Sequence, residues 1–301
     1  MKILITGATG LIGTELVSLL LQNGITVHYL TTSKNKIVKK WNYSGFFWNP
    51  SQGIIDENCL LGVDAIVHLA GATIAKRWTP SYKQEIIESR ILSSNTLYKA
   101  LKENPNQVKQ IISASGTAIY PDSYSVIYNE NSGVPQEDFL NNVVVKWEES
   151  VAKFSALGIN VCLLRTGIVL SAKGGALQEM RKPIQWGLGA AFGNGKQIQS
   201  WIHIKDLVAL YSFALTHSWV GIFNAVAPNP ISNRELTKKI AKYEKKPLFL
   251  PNIPQFVMRL ILGEMNELLF TNKNISSQKA IDCGFDFQFP DADSALQNSI
   301  V

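Results

Sequence analysis

The chain opens MKILITGATGLIG (residues 1–13), and the stretch that decides the fold is ITGATGLIG, residues 5–13. A short aliphatic run, residues 2–6, leads directly into Gly7, Gly10 and Gly13. That run suits a strand buried on both faces. The next residues, LIGTELVSLLLQN (11–23), put Leu11, Ile12, Leu16, Leu19 and Leu20 on one stripe of a helix that Gly24 closes. ITVHYLTT (25–32) is the following strand. The unit is a strand–helix–strand crossover, the element from which parallel sheets are built.

A turn from a buried strand into a helix leaves the first amides of the helix unpaired and partly positive, which suits a pyrophosphate. Glycine lets the backbone turn tightly, approach phosphate and pack helix on strand. The candidate coenzyme contacts in the loop are Gly7, Thr9, Gly10, Leu11, Ile12 and Gly13. The end of the second strand separates the two nicotinamide coenzymes, because NAD enzymes usually place an acid there for the ribose 2′-hydroxyl. Here it reads Thr31-Thr32-Ser33-Lys34, hydroxyls and a lysine with no carboxylate, which favours the 2′-phosphate of NADP over NAD.

Working outward, the alternation continues through FFW (46–48), DAIVHLAGA (64–72), a helix over about 80–103, QIISAS (110–115), a helix over about 138–157 and INVCLLRTGIVL (159–170). Repeated strand–helix alternation with apolar strands predicts an α/β fold with a doubly wound parallel sheet of the Rossmann kind. After residue 171 glycines cluster in KGGAL and WGLGAAFGNGKQ, then IQSWIHIKDLVALYSFAL reads as a strand turning into a helix. PNPISNRELTKKIAKYE is a helix capped by Ser232 with Glu235 three residues on, a capping box. PLFLPNIPQFVMRLILG reads as a Pro-bracketed strand and a further helix. The expected division is a dinucleotide-binding domain over 1–170, with returning segments at about 196–228, and a smaller α/β lobe over 171–301 that includes a C-terminal domain at about 247–296.

Composition narrows the function. Net charge is +6, but the 29 Lys and Arg are scattered and form no basic face interleaved with aromatics, so nucleic acid is not an expected partner. Cys59, Cys162 and Cys283 have neither CxxC nor metal spacing, so reduced thiols and a cytoplasmic setting are expected, with no metal site. The first apolar run is broken after Ile5, with no cleavage site, and no stretch reaches the ~18 apolar residues of a membrane span, so a soluble chain without a membrane partner is expected.

The pattern G-x-x-G-x-x-G, with Thr6 before it and Ala8 and Thr9 inside, resembles the extended and atypical short-chain dehydrogenase/reductase superfamily rather than enzymes carrying G-x-G-x-x-G. HLAGA (68–72), KRW (76–78), ESR (88–90), SAS (113–115), KWEE (146–149), LLRTGIVL (163–170), GGAL (174–177), SWIHIKDL (200–207), FNAVAP (223–228) and LGEMNELLF (262–270) follow in order. Together they resemble one atypical subfamily, the epimerase-like or nucleoside-diphosphate-sugar-epimerase family, across essentially the whole chain. The resemblance implies that Leu69, Ala70 and Gly71 pass beside the adenosine half. It implies that Thr31 and Thr32 meet the 2′-phosphate, although the family commonly has arginine where this chain has Thr32. It places Glu85 and Arg90 toward the coenzyme, a surface salt bridge being the alternative. Arg165 and Gly167 fall at the carboxyl edge of the sixth strand, where open α/β sheets bind ligands. Trp201 and His203 lie in a segment that closes the substrate cleft in extended relatives, and a structural role for His203 stays open.

Such enzymes usually act through a serine or threonine and a Tyr-x-x-x-Lys pair whose lysine helps to hold the tyrosine ionised. Ser115, with Thr117 as substitute, stands at the end of the fifth strand. The helix that should carry the pair reads FLNNVVVKWEESV, with Leu140 and Val144 at the Tyr and Lys positions, and the resembled family lacks the pair too. Tyr98 and Lys102 have the spacing but precede Ser115, and Tyr120 with Lys146 is the remaining substitute. Two readings survive. In the first, an NADP-dependent oxidoreductase or epimerase acts on a small, unidentified, nucleotide-linked or similar substrate, with Ser115, Thr117 or Tyr120 moving the proton. In the second, a non-catalytic NADP(H) sensor acts through a protein partner. Either a monomer or a homodimer through the helices at about 80–103 and 138–157 is compatible with their mixed outer faces.

Overall fold

The computed structural model describes residues 1–132 and 138–300. Seven parallel strands form the main sheet: β1 (Lys2–Thr6), β2 (Thr26–Thr31), β3 (Tyr43–Asn49), β4 (Ala65–His68), β5 (Gln110–Gly116), β6 (Asn160–Thr166) and β7 (Gly221–Ala225). Their order is β3-β2-β1-β4-β5-β6-β7, with short antiparallel pieces Lys39–Lys40 and Ile54–Ile55 on β3. The order reverses at β1, so the crevice beyond the carboxyl ends of β1 and β4 is the switch point where doubly wound sheets take ligands.

Helices cover both faces. Among them are α1 (Leu11–Gln22), α2 (Pro80–Glu103), α3 (Phe139–Ala152), α4 (Ala176–Gln185) and α5 (Ile204–Thr216). Alternation along β1 sorts the layers, because Ile3 and Ile5 pack with Leu16, Leu20 and Leu207 of α1 and α5. Leu4, from the other side of the strand, packs with Leu97, Trp147 and Val151 of α2 and α3. The buried stripe of α1 is Gly13, Leu16, Val17 and Leu20, with Leu11, Ile12 and Leu19 at its margin. Gly24 follows the helix at φ +72°.

A smaller C-terminal region has its own core, in which Leu170, Leu177, Trp201, Leu236, Phe289 and Leu296 meet. Its helices include α6 (Asn233–Tyr243), α7 (Gln255–Leu262) and α8 (Ala292–Ile300). The capping box at Ser232 and Glu235 forms as the sequence predicts.

Two expectations are corrected. The strand expected over 159–170 breaks at Gly167, and Ile168–Leu170 leaves the main sheet to pair in parallel with Trp201–His203. A Cβ on Gly167 would lie 2.5 Å from the Ser200 carbonyl oxygen, so packing against that segment itself requires a glycine there. The strand expected within 247–254 does not form. Pro247, Pro251 and Pro254 withhold the amides a ladder needs, and a single bridge, Ile253 to Phe192, remains.

Candidate coenzyme and active site

The glycine loop is tied to the end of β4 by one hydroxyl. Thr6 Oγ1 accepts from the amides of Leu69 and Ala70, both at 3.0 Å, and donates to His68 Nδ1 at 2.8 Å. With Nδ1 an acceptor, Nε2 carries the proton and donates to Ser94 Oγ at 3.2 Å. Burial, aided by the nearby charge of Arg90, pushes the His68 pKa down to about 4 and keeps the ring neutral. Gly7 turns at φ +70°, and a Cβ there would sit 3.0 Å from the Leu69 carbonyl. Gly10 stands at the N-cap of α1 without any side-chain cap, leaving the first-turn amides to a ligand. Thr9 is exposed beside it. The residues expected to hold the pyrophosphate are thus gathered at the switch point.

Arg90 lies beneath Gly71, whose added Cβ would be 3.2 Å from the guanidinium carbon. Its Nη1 donates to the carbonyls of Ile86 (2.8 Å) and Ala72 (3.2 Å), and its face covers the Trp147 ring at 4.8 Å. Its Nε is buried without a partner, and no carboxylate forms an ion pair with it among the described residues. Burial lowers its pKa to about 10, so it stays a cation at neutral pH. Glu85 is exposed and forms no salt bridge with Arg90. A partly desolvated cation with no ion-pair partner among the described residues fits a negatively charged ligand.

At the end of β2, Thr31 is buried and its Oγ1 accepts the Ser33 amide at 3.2 Å, while Ser33 Oγ donates to Asn35 at 2.5 Å. Thr32 and Lys34 are exposed, and Lys34 Nζ lies 5.1 Å from the centre of the Phe47 ring. Residues 31–36 contain no carboxylate.

The expected catalytic hydroxyls divide sharply. Ser115 is buried and donates to Glu148 Oε1 at 2.5 Å. Glu148 also receives Arg165 through Nε (2.9 Å) and Nη2 (2.8 Å), a two-pronged ion pair. Arg165 Nη1 donates to the Tyr120 hydroxyl at 3.0 Å, and that hydroxyl donates to Asn224 Oδ1 at 2.7 Å. The network links β5, α3, β6 and β7 beneath the carboxyl edge of the sheet. Burial raises the Tyr120 pKa against the pull of Arg165, so the fully buried phenol stays protonated. The substitute role expected of Tyr120 therefore gives way to a structural one, and Arg165 is likewise spent on Glu148. Thr117, half-buried in the short turn Thr117–Ile119, has no side-chain hydrogen bond among the described residues. Leu140 and Val144 are packing positions, and Lys146 is exposed.

The two cleft residues expected from sequence are corrected. Trp201 is fully buried and its indole donates to the Asn229 carbonyl at 3.0 Å. His203 caps α5, accepting the Lys205 amide at Nδ1 (3.2 Å), and its Nε2 meets Ser299 Oγ at 3.1 Å. Burial, with Lys205 nearby, pushes the His203 pKa down to about 4. Unfolded histidine titrates near 6.5, so between the two values only the unfolded chain takes the proton. Stability is therefore full above pH 6.5 and falls as pH drops toward 4, by up to about 1.4 kcal/mol per pH unit for each such histidine. His203→Asn offers an amide oxygen to the same cap without titrating. Urea melts across this range should show a shallower loss for the variant, and an unchanged slope would refute the assignment.

Glu148, Asn224, Thr6 and His68 were not singled out from sequence. A signal existed for the first, since Arg165 interrupts an apolar strand and a buried cation needs an anion nearby. At the seam with the C-terminal region, Lys83 pairs with Glu264 beside a groove of about 290 Å³ whose lining includes Trp78, Ile87 and Phe139.

Sheet order, glycine loop and switch-point contacts define a doubly wound, Rossmann-fold protein with a dinucleotide-type loop. The chain belongs to the NAD dependent epimerase/dehydratase family, whose model matches residues 3–225, and residues 253–299 match a domain of unknown function, DUF1731. An epimerase family protein of Staphylococcus aureus is 35% identical over 302 residues, covering 99% of this chain and 98% of its own. The epimerase family protein YfhF of Bacillus subtilis is 33% identical over 301 residues, covering 100% and 98%. Among solved structures, the human epimerase family protein SDR39U1 with NADPH superposes with a TM-score of 0.87 at 28% identity, covering 100% of this chain and 99% of that one.

Proposed function

We propose that this chain is an NADP(H)-dependent oxidoreductase or epimerase-like enzyme that acts on a small substrate, and that nucleotide-linked sugars are the first class to test. The observation that carries the reading is the uncapped glycine loop together with a half-buried Arg90 whose Nε is unpartnered and which has no ion-pair partner among the described residues. The preference for NADP over NAD is supported by the absence of a carboxylate over 31–36 and by the NADPH found with the human relative. Residues 1–170, with the return at about 196–228, would form the coenzyme domain and 171–301 the substrate side. Three free cysteines fit a cytoplasmic setting.

The coenzyme, when bound, supplies hydride chemistry. The amides that follow Gly10 would hold its phosphates, with Arg90 as counter-charge, and Leu69 to Gly71 would lie along the adenosine half. Thr31, Thr32, Ser33 and Lys34 would meet the 2′-phosphate. Thr117 is the hydroxyl left to meet a substrate oxygen, because the Ser115 proton is committed to Glu148.

Coenzyme titration by fluorescence tests this reading. NADPH should bind more tightly than NADH, and Lys34→Ala should weaken NADPH by about tenfold, the value of one charge-assisted contact, while leaving NADH unchanged. Equal affinity for the two coenzymes, or equal losses in the variant, would count against it.

A further inference from the structure

The C-terminal region carries an exposed apolar face that neither the coenzyme site nor the lobe seam uses. Trp186 (82% exposed), Leu188, Phe249 (77%), Phe256 (67%), Leu260 (78%) and Ile261 stand out from it. They come from two segments, 182–193 and 245–262, that run side by side. The Ile253 amide donates to the Ala191 carbonyl at 2.8 Å, and the Gly193 amide to the Ile253 carbonyl at 2.9 Å. Gly189 packs against Leu248 in the same seam. Helix α7 presents Phe256 and Leu260 one turn apart, and none of its residues is buried.

The charged residues of the two segments themselves are basic only, Lys182, Lys245, Lys246 and Arg259, with no Asp or Glu. Of the flanking carboxylates, Glu179 pairs with Lys182, Glu244 with Arg181 and Glu264 with Lys83, while Glu267 lies near Arg259, which leaves Lys245 and Lys246 as the exposed cations beside Leu248 and Phe249. A second copy is a poor occupant, because a two-fold contact sets the same patch against itself and brings like charges together. Large aliphatic and aromatic side chains standing in water beside lysines form the pattern of a segment that lies in a bilayer interface. No helix among the described residues is long and apolar enough to cross a membrane, so the contact would be peripheral. We propose that this face, built from α7 and the segments 186–188 and 249–250, docks the protein on an anionic phospholipid surface. The apolar side chains enter the headgroup boundary, and the lysines and Arg259 meet lipid phosphates and carboxylates. The docking stands independently of the coenzyme reading.

Flotation of the full chain with phosphatidylcholine vesicles, with and without phosphatidylserine, tests the proposal. The protein should float with the anionic vesicles only, less so at raised salt, and soluble glycerophosphoserine should not compete. Phe256→Ser with Leu260→Ser, and separately Lys245→Glu with Lys246→Glu, should each cut the bound fraction by about tenfold or more while circular dichroism and melting stay as in the parent. Four outcomes would overturn it: no flotation, flotation unchanged in both variants, full competition by the soluble headgroup, or a concentration-dependent dimer that the same substitutions dissolve. Retention on heparin or RNA without vesicle binding would assign the face to a polyanion and overturn it as well.

Discussion

Gly13→Val is expected to abolish detectable NADPH binding, and Gly13→Ala to weaken it measurably. Gly13 sits in the first turn of α1, and a Cβ at this position would fall 2.2 Å from the Gly7 carbonyl oxygen and 2.7 Å from the Ala8 Cα. Both contacts are backbone, in a turn that is itself pinned by the Gly10 amide to the Gly7 carbonyl at 3.0 Å. No rotamer relieves a Cβ clash, so the helix must move away from β1, and the amides that face the pyrophosphate move with it. Overpacking of this kind costs about 1–3 kcal/mol for the first added carbon, and a branched side chain adds more. Gly24→Ala is the informative control, because Gly24 follows the end of the same helix at φ +72° but has nothing within 4 Å of an added Cβ. That variant should lose about 1 kcal/mol of stability through backbone strain and keep coenzyme affinity. Equilibrium titration of NADPH into the three variants, alongside urea melts, separates the effects. Wild-type affinity in Gly13→Val would mean that the loop does not hold the phosphates.

This contrast between two glycines also marks what was legible in the sequence. The loop, the strand–helix alternation and the capping box are local, written in neighbours a few residues apart, and each forms as read. The prolines of 247–254 withhold ladder amides, a local signal that the strand reading set aside, whereas Gly167 was misread for a non-local reason. Whether an apolar stretch stays in a sheet depends on what lies beside it, and the Ser200 carbonyl that fills the space at Gly167 is distant in sequence. Trp201 and His203 were placed in the cleft because the matching segment closes it in extended relatives, but here their partners, Asn229 and Ser299, come from other elements and both side chains are buried. Tyr120 stands where a reactive phenol could be expected. Burial keeps it protonated, and the residues that occupy its hydroxyl, Arg165 and Asn224, come from β6 and β7, with no spacing rule to connect them.

The Glu148–Arg165 pair should be the most sensitive polar contact in the fold. Its side chains are only 13% and 6% exposed, so neither charge can return to water if its partner is removed. Glu148→Ala deletes the acceptor of three bonds at once, two from Arg165 and one from Ser115. It leaves a guanidinium whose remaining partners, the Tyr120 hydroxyl and the Glu130 carbonyl, are uncharged. Breaking a buried pair on one side is expected to cost about 3–5 kcal/mol. Ser115→Ala, which removes one charge-assisted bond and leaves the pair intact, should cost about 1.5–3 kcal/mol. Replacing both charges, Glu148→Leu with Arg165→Met, should cost much less than the sum of Glu148→Leu and Arg165→Met measured singly, because no unpaired charge stays buried. Urea unfolding of this double-mutant cycle supplies the test. A Glu148→Ala loss below about 1 kcal/mol, or strict additivity in the double variant, would show the pair to be solvated. It would also free Ser115 and Tyr120 to be considered again as groups that touch a substrate. The expected large coupling instead leaves Thr117 as the one of the three expected hydroxyls that the network does not hold, so the stability experiment bears directly on which residue can move a proton.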